Sequence, residues 1–267
     1  MENISISRFN SGHLRFDLSE IYRLPTNHQF AGQIVDVPMF SYHISLPGRS
    51  ILVDAADYDV QEISETFLVP DYEPPPGLLE QLRTSGIDAG SISDVIITHA
   101  HFDHYGALST VVNGRYQPAF PNARHYLNKA DWHPKRLNDK GWQTLGLVEQ
   151  LGLLKLTGGK VNLGDGLLIL PMPGETAGHQ ILCLMTGEQD IYFAGDLYHH
   201  PLEFAEAERN VKWAARKSMG RSKSALMKRM AGSRATAYFT HISDAYGVVE
   251  QEDGTLAWKP VPVDQYV

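Results

Sequence analysis

The sequence reads as a layered α/β sandwich in place of a regular doubly wound sheet. Strand-like runs come in two blocks, roughly 33–55 and 160–194, separated by a helical region. A second helical stretch and a last strand follow, and this order does not alternate strand by strand with helix. A hydrophobic share of 43% with 20% charged residues is enough for a sizeable core, and 267 residues suit one large domain.

Residues 1–32 mix apolar and polar positions without a clean period and read as an N-terminal extension to a single domain spanning 1–267. From Gln33 to Asp54 a β-hairpin is expected, with Pro47-Gly48 as the turn. Residues 57–76 form a long connection holding Phe67, Leu68, Val69 and Tyr72 before Pro74-Pro75-Pro76, and a loop of that length with apolar residues suits a pocket wall. Gly77–Gly86 places Leu78, Leu79 and Leu82 on one helical face, stopped by Gly86. Ile92–Thr98 is a short buried strand, and a helix is expected over Asp103–Val112. Ala123–Leu127 is a strand, Asn128–Trp132 begins a helix, and Asp139–Leu154 is helical despite Gly146 and Gly152. Strands follow at 161–163, 167–170, 181–185 and 191–194, with turns at Gly164-Asp165-Gly166 and Thr186-Gly187-Glu188. Glu203–Met230 is expected helical, Tyr238–Thr240 a strand, and Val248–Trp258 a hairpin about Asp253-Gly254.

The formal net charge of −8 argues against a nucleic-acid binder, which needs clustered cations to displace counterions from phosphate. No apolar run approaches a membrane span, and the N-terminus lacks a basic region followed by an apolar core. Cys183 is the single cysteine, so no intramolecular disulfide forms, and a cytoplasmic location is the expectation.

The chemistry concentrates in Thr98-His99-Ala100-His101-Phe102-Asp103-His104-Tyr105-Gly106, directly after Val95-Ile96-Ile97. Neutral imidazole and carboxylate are the donors that borderline divalent ions prefer. In an extended turn His99 and His101 share a face, and a bend into a helix brings Asp103 and His104 to a second position. Three later residues also sit where a strand gives way to a loop: His179 after a Gly/Pro-rich loop, Asp196 in Phe193-Ala194-Gly195-Asp196, and His241 after Tyr238-Phe239-Thr240. Each alone is an ordinary turn cap; together with the cluster they supply seven donors, enough for two metals.

The string His-x-His-x-Asp-His at 99–104, with His179, Asp196 and His241 downstream, resembles the metallo-β-lactamase superfamily. The resemblance implies an αββα four-layer sandwich with the metal site at one edge of the sheets. It implies that His99, His101 and His179 hold one ion, that Asp103, His104 and His241 hold a second, and that Asp196 bridges them. Two divalent ions are implied, with zinc expected ahead of iron, manganese or cobalt. An aspartate at 196 departs from the true β-lactamases of the family, and His101 departs from its diiron flavoproteins, which carry Glu there. The short stretch after His241 leaves no room for the helical glutathione-binding domain of glyoxalase II, and the acidic charge departs from the family's nucleases. The loop before His179, usually Gly-His-Thr-Pro-Gly-His, here reads Gly174-Glu175-Thr176-Ala177-Gly178-His179.

Around Gly195-Asp196-Leu197-Tyr198-His199-His200-Pro201, and in Tyr246-Gly247 and Trp258, the sequence is most similar to the lactonase and methyl-parathion-hydrolase-like branch. That branch implies opening of a lactone or cleavage of a carboxylic ester by water activated between two metals, with Asp103 orienting the nucleophile and moving its proton. Tyr198 is expected either as a donor to the developing oxyanion or as a packing aromatic. His199, His200, Asp54 and Asp57 are candidates for orienting the ligands. Cys183, mid-strand, reads as core. The expected partner is a small-molecule ester or lactone, with no nucleic acid and no membrane, and a homodimer is the assembly considered. Competing readings are phosphotriester or sulfate-ester hydrolysis at the same site, and oxygenation of a persulfide by a single iron.

Overall fold

The structure, a computed structural model, describes residues 4–206, 208–231, 234–250 and 256–261. Among the described residues fifteen strands run in chain order: β1 (Ser5–Asp17), β2 (Ile34–Leu46), β3 (Arg49–Val53), β4 (Asp94–Ile96), β5 (Ser109–Val112), β6 (Arg115–Pro118), β7 (Arg124–Asn128), β8 (Leu154–Thr157), β9 (Val161–Gly164), β10 (Leu167–Pro171), β11 (Gln180–Met185), β12 (Asp190–Phe193), β13 (Ala235–Phe239), β14 (Ile242–Glu250) and β15 (Leu256–Val261). Two large sheets result, with strand orders β1-β2-β3-β4-β7-β8 and β15-β14-β13-β12-β11-β10-β9; β5 and β6 form a separate ribbon. Strands β3, β4, β7 and β8 are mutually parallel, as are β12 and β13, while the remaining pairs are antiparallel.

The sheets face each other over one apolar layer in which Ile44, Ile51, Val53 and Ile96 meet Leu182, Leu184, Phe193 and Tyr238. The outer face of the first sheet is covered by helices Leu78–Thr84 and Asp139–Gln150, whose Leu78, Leu82, Leu145 and Val148 pack on Leu52, Val95 and Leu127. Helix Arg216–Ala231 covers the second sheet through Met219, Leu226 and Met230. Helix, sheet, sheet, helix is the αββα sandwich.

Several local expectations change. Residues 5–17 form β1, paired with β2 along its length, so this part of the expected extension is a strand of the first sheet. Its period is obscured because the register shifts between Asn10 and His13 around Gly12, whose φ of +151° an L side chain rarely adopts. The helix expected over 103–112 ends early, as an α-turn at Phe102–Tyr105 and a 3₁₀ turn at Gly106–Leu108. Ser109-Thr110-Val111-Val112, rich in β-branched residues, then pairs as β5. Asn128 ends β7, residues 129–131 make a turn, and the α-helix begins only at Asp139. The helix expected over 203–230 splits into Leu202–Ala205 and Arg216–Ala231. Between them the Lys212 and Ala215 amides donate to the carbonyls of Ile21 and Gly174, so tertiary partners replace the i−4 ladder. β14 and β15 pair as expected, while the Asp253-Gly254 turn lies outside the described residues.

Candidate metal centre

At one edge of the sandwich the ends of both sheets converge. The first sheet contributes the carboxyl ends of β3, leading to Asp54, and β4, leading to His99–His104. The second contributes the loop from β10 to β11 with His179, the end of β12 with Asp196, and the end of β13 with His241. Backbone bonds stitch the two sides together: Gln180 N–H donates to Thr98 O and Phe40 N–H to Thr240 O.

Seven residues expected from sequence meet within a few ångströms. His104 Nε2 and His241 Nε2 each lie 3.5 Å from Asp103 Oδ2, and they lie 3.3 and 3.2 Å from Asp196 Oδ2. His99 Nε2 is 3.7 Å from Asp196 Oδ2 and 2.8 Å from His101 Nδ1. Two groups have donor atoms all within 4.8 Å of one another: His99, His101, Glu175 and Asp196, and Asp103, His104 and His241. The second is the set implied by the resemblance. The first contains Glu175 and not His179, which sits beside it with its ring 5.3 Å from that of His99. His179 Nε2 instead accepts from the Asp196 backbone N–H at 3.2 Å.

His104, His179 and His241 are each aimed by a partner on the other nitrogen. His241 Nδ1 bonds Pro38 O at 2.7 Å and His179 Nδ1 bonds Met172 O at 3.0 Å; a carbonyl only accepts, so both rings carry their proton on Nδ1 and turn Nε2 inward. His104 Nδ1 faces Asp54 Oδ2 at 2.9 Å, and Asp54 also accepts from Thr98 N–H and Thr98 Oγ1. Asp54 is therefore the residue that orients His104. Asp57 packs against Gly106 and takes no part in this cluster. Asp131 fixes the loop before His179 to the cluster, accepting from Ala100 N–H, Thr176 Oγ1 and Gly178 N–H. A Cβ on Gly178 would overlap Asp131. At Gly195, with φ +52°, one would press on His179 Nε2 and Thr98 at 2.9 Å, so Gly195-Asp196 needs its glycine.

Burial opposes charge here, yet His241 and His104 overcome it and hold the Asp196 carboxyl well below its usual range. Against the same burial, His104 and His241 bring Asp103 down to about 2, and the two carboxylates bring His241 up to about 9. Burial, with the nearby rings of His104 and His101, pushes His99 well down. His104 Nε2, Asp196 Oδ1 and Glu175 Oε2 are buried without a hydrogen-bond partner. Such atoms ordinarily carry a large desolvation cost, and a donor set of imidazole and carboxylate is what a divalent ion relieves. The residues present fit a metal centre.

Of the other candidates, His199 reaches the site and His200 does not. His199, 1% exposed, stacks on His241 with centroids 5.8 Å apart. Its Nε2 lies 3.5 Å from both Asp196 Oδ2 and Glu175 Oε2, and its Nδ1 is 3.5 Å from Glu203 Oε1. Glu203 is itself held by Tyr22 Oη and Lys223 Nζ. His200 packs edge-on against Phe30, and its Nδ1 accepts from Leu202 N–H. Tyr198 is corrected to the packing reading. In extended backbone it points opposite to His199, into Phe204, Phe239 and Trp258, with Lys223 over its ring. Cys183 is core.

A cavity of about 530 Å³ opens onto the cluster, with Asp103, Asp196, His199 and His241 on its floor and Phe16, Phe67 and Trp213 in its walls. Glu62, Ile63 and Ser64 of the long 57–76 connection line it as well. Glu175, Trp213 and Asp131 had no place in the sequence-based site. The signal for Glu175 was the departure of its loop from the family string; Trp213 and Asp131 carried none.

A sequence profile described as the metallo-beta-lactamase superfamily matches residues 41–225. A probable metallo-hydrolase of Mycobacterium tuberculosis is 23% identical over 137 residues, 45% of this chain and 41% of the relative, so the match spans about two fifths of that relative's length. The solved hydrolase AbOPH of the beta lactamase superfamily superposes with a TM-score of 0.78 at 17% identity, over 98% of this chain and 96% of that one. The dizinc quorum-quenching lactonase AidC gives 0.73 at 18%, over 97% and 95%. An N-acyl homoserine lactone hydrolase with product at its catalytic metal centre gives 0.66 at 18%, over 88% and 92%. At these identities the structural likeness speaks for the fold, and the profile match over most of the chain speaks for descent: the chain belongs to the metallo-β-lactamase superfamily.

Proposed function

We propose that this chain is a metal-dependent hydrolase that opens a lactone or cleaves a carboxylic ester, using two divalent ions, zinc foremost. The observation that carries the reading is the lining of the cavity over the cluster. Its walls are apolar and aromatic, Glu62 is its charged group outside the metal donors, and no lysine or arginine lines it among the described residues. Once ions neutralise the donor carboxylates, apolar walls without a cationic side chain suit a neutral, partly apolar substrate.

Ions held by these residues would lower the pKa of water toward 7 and polarise a carbonyl oxygen. The chain's own groups supply the rest. Asp103, at the cavity floor, is placed to take the proton of the attacking water and return it to the leaving alkoxide. His199 Nε2 faces the same space, aimed by Glu203. Phe16, Phe67 and Trp213 shed water from the bound ester and strengthen each polar contact within. Neutral phosphotriesters fit the same lining and are the second reading. Sulfate esters and persulfide anions would find no lysine or arginine among the described lining residues to hold their charge.

Elemental analysis of the purified chain, with a panel of lactones, aryl esters and phosphotriesters, tests the proposal. Two equivalents of metal and turnover of a lactone or ester are expected. A single iron with oxygen uptake on a persulfide would sink it.

A further inference from the structure

Glu175 stands where the family's loop usually has histidine, and the structure buries it: its side chain is 1% exposed. Burying a carboxylate costs several kcal/mol unless charge and hydrogen bonds compensate. Oε1 accepts from Trp213 Nε1, but Oε2 has no hydrogen-bond partner. Around it lie His101 Nδ1 and His199 Nε2, each at 3.5 Å from one of its oxygens. Donor atoms of Glu175, His99, His101 and Asp196 fall within 4.8 Å of one another. His179, the residue the resemblance puts in that group, has its Nε2 turned to the Asp196 amide.

We propose that Glu175 is a metal ligand, joining His99, His101 and Asp196 around the first ion. The centre then holds three carboxylates, Asp103, Glu175 and Asp196, where the resemblance implies two. An added hard oxygen donor favours harder ions, so manganese and iron compete better with zinc here than in a centre with histidine at this loop position. The Trp213 indole takes only Oε1, which leaves Oε2, the oxygen without a hydrogen-bond partner, for the ion. The inference rests on the metal-centre part of the proposed function and is independent of which ester is cleaved.

The test uses the full chain loaded with cobalt(II) as a spectroscopic probe. Glu175→Gln is expected to change the intensity of the cobalt d–d bands and to weaken one of the two ions tenfold or more in chelator competition. Trp213→Phe, which removes the indole donor but keeps the carboxylate, is expected to leave the bands in place. Superimposable spectra for wild type and Glu175→Gln would overturn the proposal, as would Trp213→Phe reproducing the full change. X-ray absorption or crystallography of metal-loaded wild type decides without any variant. A Glu175 oxygen at about 2.0–2.2 Å from an ion supports the assignment, and one held beyond bonding distance refutes it. Ester turnover by wild type is scored separately, so loss of the substrate reading leaves this result standing, and the reverse holds too.

Discussion

Asp54 makes three bonds at the end of β3, to Thr98 N–H, Thr98 Oγ1 and His104 Nδ1, in a left-handed conformation with φ +57°. It does not line the cavity over the cluster, yet it sets the direction of the His104 Nε2 lone pair. Asp54→Ala is expected to weaken metal retention about 10–100-fold, the range for loss of a ligand's supporting carboxylate. Chelator competition on the folded variant checks it, and unchanged retention would remove Asp54 from the centre. His125 shows a different use of histidine. It is fully buried in β7 beside Phe120, and burial pushes it down to about 4. The folded chain therefore takes up its proton only near pH 4, whereas the unfolded chain takes it up near the ordinary 6.5. Its contribution is fully present above 6.5 and is lost as pH falls through that window, by about 2 kcal/mol at pH 5. His125→Leu is expected to shrink the difference in urea midpoint between pH 8 and pH 5; an unchanged difference refutes the assignment.

Elements that carry strong period or punctuation were legible in the sequence: the β2–β3 hairpin about Pro47-Gly48, helix 78–84, and β9 to β12 with their glycine turns. Elements whose form depends on distant partners were not. β1 hides its alternation behind a bulge at Gly12, and residues 208–215 take an irregular path in which the Lys212 and Ala215 amides bond to residues 21 and 174. The site divides in the same way. The donors announced by local spacing, His99 to His104, and those at strand ends were readable, but Glu175 depends on a cavity that only the folded sheets create. Arg49, at the start of β3, illustrates a long-range element contact with no local signal. It pairs with buried Asp94 at 2.8 Å and donates to Leu163 O at 2.8 Å, tying the first sheet to β9 at the edge opposite the metal centre. Arg49→Ala leaves Asp94 with Ser93 Oγ and the more exposed Arg124. A loss of roughly 2–3 kcal/mol is expected, below the full value for a broken buried pair, and denaturant midpoints at constant m would record it. A loss under about 0.5 kcal/mol, the scale of an ordinary surface change, would show that Arg124 and Ser93 satisfy Asp94 without Arg49.

Across the whole molecule the metal centre is also the place where the two sheets are joined. His99, His101, Asp103 and His104 follow β4 of the first sheet; Glu175, Asp196 and His241 follow strands of the second. An ion held by both sets acts as a cross-link between the layers, at an edge otherwise secured by a few bonds such as Tyr42 Oη to Phe239 O. Removing it also restores the like-charge and desolvation conflicts among His99, His104 and Asp196, whose rings and carboxylate are crowded enough that His99 and His104 centroids are 4.0 Å apart. A ligand that binds the folded state at about 1,000 times its Kd stabilises by about 4 kcal/mol, and for a chain of this size each kcal/mol moves the midpoint by about 2–4 °C. Chelation of the purified protein is therefore expected to lower its melting temperature on the order of 10 °C, and stoichiometric zinc to restore it. The shift should saturate at two equivalents, because Asp196 of the first donor group lies 3.3 and 3.2 Å from His104 and His241 of the second and the second ion adds to the same clamp. Melting that ignores both chelator and zinc, in a protein that elemental analysis finds free of metal, would refute the metal centre itself and with it the hydrolytic reading.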